Sequence, residues 1–201
     1  DGEALLEAAD VLLSHRATLL AAASSEAAQP HEPSHRVARE VAWAVSAIAQ
    51  RDAGLVGGGG AGGEARALAL AELMLLCVSS GSRPTADAAL DYFAAMNTVP
   101  VAGRHPQLCR PLFASALPHL LRHAQFPEDF TTWAESDLDE DEFHRFREQQ
   151  LADVLESAYG MMRNEYLTSV AALGAAARAW QQYEVSLYAL RSVALRVRAT
   201  L

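Results

Sequence analysis

The sequence predicts an all-α protein, an α-solenoid (α-α superhelix) of about four antiparallel helix pairs. Three observations carry this. Apolar residues recur at helical spacing in about eight stretches, and no alternating strand pattern competes with them. Alanine and leucine dominate, isoleucine occurs only at Ile48, and β-branched residues are sparse, which favours helix over strand. The periodic stretches run in rough pairs of 40–50 residues, the scale of solenoid repeats. A compact eight-helix globule is the alternative. A last helix that is apolar on more than one side argues against it, because a globule would close its terminal faces.

Taken in order, the first helix is expected over residues 3–23, with Leu5, Ala8, Leu12, Leu19 and Leu20 on its apolar side. A polar, proline-bearing break from Gln29 to Ser34 precedes a second helix over 35–52, carrying Val37, Val41, Val45 and Ile48. Residues 53–63 read as a flexible loop centred on the glycine run Gly57 to Gly63, which has no packing of its own. A third helix over 64–79 holds Leu68, Leu73, Leu76 and Cys77, and a short fourth over 85–97 holds Leu90, Tyr92, Phe93 and Met96. The fifth, over 107–124, places Leu108, Leu112, Leu117, Leu120 and Leu121 at helical spacing. Pro111 is tolerated in its first turn and Pro118 predicts a kink. Residues 126–142 form an acidic linker. The sixth helix, 139–160, begins on four consecutive acids, the charge a helix N-terminus favours. It continues through Phe143, Phe146, Leu151, Val154, Leu155 and Ala158. The seventh covers 164–179. The eighth covers 180–200 with Tyr183, Leu187, Leu190, Ala194 and Val197 as its main stripe, and Val185, Val193 and Leu195 off it.

Composition limits the function classes. The chain has 201 residues, 51% hydrophobic and 20% charged, enough to bury a sizeable core and too apolar for wholesale disorder. Net charge is −9, and all 16 basic residues are arginine, a pattern read as coding bias. Broad nucleic-acid binding is excluded by that charge, and a basic partner is the electrostatically natural one. Cys77 and Cys109 are the two cysteines, and reduced core thiols are favoured over a disulfide. No stretch reaches the roughly 18 apolar residues of a membrane span, and no signal peptide opens the chain. It begins at Asp1 without a methionine and its last helix reaches Leu201 without a stop signal. A piece of a larger array is therefore expected.

The most distinctive stretch is the acidic linker. Glu128, Asp129, Glu135, Asp137, Asp139, Glu140, Asp141 and Glu142 fall between Gln125 and Phe143 with no basic residue among them. They form the candidate patch for a basic protein cargo. Asp137, Asp139, Asp141 and Glu148 imitate a calcium loop, but Glu142 stands where the turn glycine is needed, and helical periodicity begins at Phe143. His119 and His123 give half of a zinc geometry without a third ligand, and read as partly exposed helix histidines. The glycine run lacks the Lys-Ser/Thr ending of a phosphate loop. Ser46, Ser79, Ser115 and Ser169 have no glycine elbow around them. No cofactor, metal or catalytic residue is expected. Phe126 and Trp133 read as covering a seam between repeats, with partner hooks as the alternative; Trp43 and Trp180 read as core.

Cys109-Arg110-Pro111-Leu112-Phe113, the leucine-rich helix after it and His123-Ala124-Gln125-Phe126-Pro127-Glu128-Asp129 resemble a middle segment of importin-β (karyopherin) superfamily nuclear transport receptors. So do Phe143-His144-Arg145-Phe146-Arg147 with Asp153 following, and Trp180, Glu184, Leu187, Tyr188, Ala189 and Leu190 opening a later helix. The likeness is nearest to the importin-13/transportin-SR branch, good over 105–198 and thin over 1–104. It implies that residues 1–201 are a HEAT-repeat, ARM-like segment of a larger solenoid. One helix of each pair (3–23, 64–79, 107–124, 164–179) would line an inner wall, and the others an outer wall. It also implies cargo exchange under the small GTPase Ran, contact with nucleoporin Phe-Gly repeats, and shuttling between cytoplasm and nucleus. No Ran-contact residue transfers. A HEAT/ARM scaffold without a Ran cycle is the competing expectation, and a small helical enzyme a distant third.

Overall fold

The computed structural model describes residues 2–18, 33–58, 63–80, 82–136 and 139–200. Among them there are helices and turns but no strand, so the protein is all-α. The helices are α1 (Gly2–Ser14), α2 (Pro33–Arg51), α3 (Ala53–Gly57), α4 (Gly63–Ser79), α5 (Arg83–Met96), α6 (Arg110–Ala124), α7 (Glu140–Arg145), α8 (Ala152–Met162), α9 (Asn164–Ala175) and α10 (Trp180–Thr200). A π-helical turn, Phe146–Leu151, joins α7 to α8, and short 3-10 turns stand at Val101–Gly103, Pro106–Leu108 and Trp133–Glu135. The expected extension of the first helix through Leu19 and Leu20 lies outside the described residues. No described helix is long and apolar enough to cross a membrane.

Two compact units divide the chain, Asp1–Ala116 and Leu117–Leu201, with the boundary inside α6. In the first unit the most extensive interface joins α2 to α5, while α4 packs on α5 and on α3. The sequence-adjacent pairing of α4 with α5 is present, yet α2 turns chiefly to α5 and not to α1. Small residues make this close contact possible. Ala38, Ala42, Ala49, Ala86, Ala88 and Ala89 are all buried. Ser46 Oγ donates to the carbonyl of Ala88 at 2.8 Å, so α2 and α5 are tied by a hydrogen bond as well as by packing.

Part of the stretch expected as a flexible loop is ordered helix. Residues 53–57 form α3, because the Asp52 carboxylate accepts from the Gly54 amide at 3.0 Å and caps the turn. Gly58 ends it at φ 83, a left-handed position that glycine adopts without steric cost. The carbonyl of Gly57 accepts from the His105 amide at 3.0 Å, which fastens α3 to the loop after α5. Residues 59–62 lie outside the described residues.

In the second unit α10 packs on α8 and α9. Its buried positions are Gln181, Val185, Ser186, Tyr188, Ala189 and Val193, whereas Tyr183 and Leu187, expected on the core stripe, are 57% and 52% exposed. The correction has a physical cause. The helix carries apolar residues on more than one side, and the face that wins is the one where neighbours approach closely. Gly174 of α9 comes so near that a Cβ there would stand 3.3 Å from Ser186 Cβ, and Tyr166 Oη donates to the carbonyl of Ala189 at 2.9 Å. Trp43 and Trp180 are likewise not core, at 49% and 51% exposure; Trp43 is covered by the Arg39 guanidinium instead, 5.0 Å from its ring. Val37 and Ala8 are exposed as well, with Ala9 the buried residue of α1. α6 runs through Pro118 as one helix from Arg110 to Ala124.

Candidate functional site

The acidic linker is fastened to the second unit by aromatic side chains. Phe126 lies at the centre, its ring 4.8 Å from Phe130, 4.8 Å from Phe143, 5.7 Å from Trp133 and 5.4 Å from Trp180. Such tilted contacts suit the quadrupoles of the rings and exclude water from the linker's underside. Phe126 and Trp133 thus pack the linker onto Phe143 within this unit. Phe143, the first core residue of α7, is fully buried beneath it.

Arg147 is also buried in this cluster, at 5% exposure. Its guanidinium carbon lies 4.0 Å from the Tyr188 ring centre, 5.3 Å from Phe143 and 5.4 Å from Phe126. Both terminal nitrogens donate to Glu184, at 2.6 and 3.1 Å, a bidentate pair that supplies the counter-charge the rings cannot. Phe143, Phe146, Arg147 and Leu151 are spaced to share one helix face, and all four are buried where the π-helical turn Phe146–Leu151 runs. The Arg147 carbonyl accepts from Tyr188 Oη as well as from the Ala152 amide. Burial pushes the Tyr188 hydroxyl up to about 12, so it remains a donor throughout the physiological range.

Gln181 completes the fastening. It is 3% exposed, and its side-chain amide donates to the carbonyls of Pro127 and Glu128 at 3.1 and 2.9 Å, fixing the linker backbone where it leaves α6. Sequence reasoning missed this residue. The available signal was the spacing of Gln181, Glu184 and Tyr188, which places three polar-tipped side chains on one face of α10.

The candidate acids divide by what their carboxylates do. Glu128 and Asp129 are exposed in the turn after Pro127. Glu135 is exposed and accepts from Thr131 Oγ1 at 2.6 Å. Asp139 caps α7, accepting from the Glu142 amide at 2.8 Å, and Glu140 stands 3.8 Å from His144 Nε2 one turn on. Asp141 and Glu142 are exposed in the first turn of α7. Asp137 lies outside the described residues. The described acids thus share one segment and face water, and Glu135, Asp139 and Glu140 also serve local structure.

Among the described residues no group of three His, Cys, Asp or Glu side chains is placed to hold a metal ion. His123 is buried, not partly exposed as the sequence suggested; His119 is half-buried, and burial first, then nearby Arg122, pulls its pKa below the ordinary value. Cys77 and Cys109 are free thiols. Apolar grooves are present among the described residues. One, of about 350 Å³ in the second unit, is lined by Leu117, Leu121, Leu173 and Val185 beside Arg122 and Gln125. Another, in the first unit, is lined by Leu12, Val37 and Val41 beside Arg36 and Glu40. Neither gathers a nucleophile, a base and a hydrogen-bonded orienting group.

No protein-family model, no curated protein and no solved structure matches this chain.

Proposed function

We propose that this chain is a HEAT-repeat segment of an importin-like nuclear transport receptor that binds basic protein cargo and works with the GTPase Ran, by reversible binding and without catalysis. The observation that carries the proposal is the linker: a run of exposed carboxylates without one intervening basic residue, held on a backbone fixed by Gln181 and by the Phe126 cluster. A fixed negative surface raises association rates for arginine- or lysine-rich segments, and salt weakens it. Helix pairs joined by short turns suit a HEAT array, in which each repeat touches its neighbours and the whole can open and close around cargo. The matching residues of the transport-receptor motif, Phe143, Arg147, Trp180, Glu184 and Tyr188, belong to one interlocked cluster, which gives that motif a structural reason to recur. Contacts with nucleoporin Phe-Gly repeats and passage between cytoplasm and nucleus belong to the same proposal.

The second reading, a HEAT/ARM scaffold without a Ran cycle, is favoured by Trp180, Tyr183 and Leu187. These large apolar residues are about half exposed along α10 and suit a lasting partner better than a transient one. The two separate on nucleotide dependence. The transport reading expects the receptor containing this segment to bind Ran loaded with a GTP analogue far more tightly than Ran·GDP, with cargo competing. Equal affinity for the two nucleotide states leaves the scaffold.

A further inference from the structure

We propose that Ser136 is a phosphorylation site for an acid-directed serine/threonine kinase, and that its phosphate strengthens the linker's hold on a basic partner. The second half rests on the cargo reading given above; the first half does not.

Among the chain's serines and threonines, only Thr132 and Ser136 have an acid three residues further on, Glu135 and Asp139 respectively. Only after Ser136 does the acid run continue, through Glu140, Asp141 and Glu142. A kinase whose substrate groove is lined with arginine and lysine reads such carboxylates by charge-assisted hydrogen bonds.

The structure separates the two candidates. Ser136 is half-buried on extended backbone (φ −91, ψ 142) as the chain leaves the 3-10 turn Trp133–Glu135. That is the conformation an acceptor needs to lie across a kinase cleft. Its determinants Asp139, Glu140, Asp141 and Glu142 are all exposed. Thr132 is extended and exposed too (φ −144, ψ 158), but its determinant is already engaged within its own segment and no acid run follows it closely. Glu135 lies within the turn and accepts from Thr131 Oγ1 at 2.6 Å. Ser46 and Thr85, elsewhere in the fold, are buried.

The transfer uses ATP as co-substrate. Ser136 Oγ forms the new bond to the γ-phosphorus, and the bond from that phosphorus to the β,γ-bridging oxygen breaks. ADP leaves with that electron pair, and the hydroxyl proton passes to the kinase's carboxylate base. The product gains a charge of about −1.5 to −2 at neutral pH. Nothing between Gln125 and Phe143 neutralises it, because that stretch holds no basic residue. The phosphate also precedes the N-terminus of α7, where negative charge is tolerated, so the helix is retained.

The test is to treat the purified chain with ATP and an acid-directed kinase of the casein-kinase type, then map the phosphate by fragment mass spectrometry. The expected result is one phosphate per chain, on Ser136. Ser136→Ala abolishes it and Thr132→Ala leaves it unchanged. Asp139→Asn, which keeps the helix cap but removes the charge, lowers kcat/KM for phosphorylation about tenfold through loss of one charge-assisted contact. Phosphate on Thr132, or an unmodified chain under conditions that fully phosphorylate a casein control, overturns the site. Titration of a labelled arginine-rich peptide at low salt then tests the consequence. The treated chain is expected to bind severalfold more tightly than the untreated one, with no such gain for treated Ser136→Ala. Unchanged affinity overturns the regulatory half. A chain phosphorylated on Ser136 that binds the peptide in neither form supports the site and overturns the cargo reading instead.

Discussion

The two units solve the problem of joining helices in opposite ways. The first relies on close approach: its buried surface is rich in alanine, and its buried cross-helix hydrogen bonds come from short side chains, Ser46 to the Ala88 carbonyl and the Cys77 thiol to the Ala38 carbonyl, while its long-side-chain pairs, Arg66–Asp10 and Arg16–Glu72, stay on the exposed surface. The second must also hold a non-helical linker, and it does so with long side chains that reach the backbone, Gln181, Tyr166, Tyr188 and the Arg147–Glu184 pair. The difference teaches where rigidity matters. Small residues suffice for regular helices, whose backbone groups satisfy each other. Irregular backbone at the acid-bearing segment needs donors and rings supplied from elsewhere.

The largest way to break this contrast is to remove the ring beneath the linker. Phe143→Ala is expected to cost about 3–5 kcal/mol, the usual range for a large buried aromatic. It should also speed cleavage by a glutamate-specific protease at Glu128 and Glu135. Phe93→Ala, a cavity of the same kind in the first unit, should cost a similar amount and leave the linker's cleavage rate under native conditions unchanged. Equal acceleration by both variants would dissolve the distinction between the units.

Next comes the buried pair. Glu184→Gln leaves the Arg147 guanidinium among rings without its carboxylate and should destabilise by about 1–3 kcal/mol. Arg147→Met combined with Glu184→Leu should recover most of that loss, because an apolar replacement of both partners removes the desolvated charge. Urea unfolding followed by tryptophan fluorescence measures both.

Cys77 sharpens the picture of the first unit. Burial raises its thiol from 9.0 to about 12, so the folded state disfavours the thiolate. The stability this thiol contributes is complete below pH 9 and is lost as pH rises from 9 towards 12, where the unfolded chain alone ionises. Iodoacetamide at pH 8 should therefore label half-buried Cys109 well before Cys77, as peptide mapping would reveal. The smallest effect is at two glycines. Gly160 faces open space inside α8, and Gly160→Ala should stabilise by about 0.5–1 kcal/mol. A Cβ on Gly57 would meet Val99 Cγ1 at 2.9 Å, so Gly57→Ala should lower the melting temperature.

The helices were legible because alanine and leucine spacing sets them locally. Phe143, Phe146, Leu151, Val154, Leu155 and Ala158 were expected inside and are buried. What failed was the choice of face on α10. Tyr183 and Leu187 fit a helical stripe as well as Val185 and Val193 do, and only the approach of Gly174 and Tyr166 decides between them. The π-helical turn at Phe146–Leu151 was equally hidden, and the Arg147 carbonyl within it accepts from Tyr188, 41 residues away. Of the candidate site, the acids were plain in the sequence as an uninterrupted charge run. The scaffold beneath them was not, because Gln181 acts through backbone carbonyls that carry no sequence signal.

The account turns on the linker acids as an exposed contact surface, and one comparison addresses that directly. Binding of a labelled arginine-rich peptide would be measured over a range of salt for the native chain, for Asp137→Asn/Asp139→Asn/Asp141→Asn, and for Glu3→Gln/Glu7→Gln in the first unit. Asparagine keeps the α7 cap, so helix content should stay unchanged. The expected result is weaker and less salt-sensitive binding for the linker variant alone, with the α1 variant indistinguishable from the native chain. Identical affinity and salt dependence for all three would contradict the account.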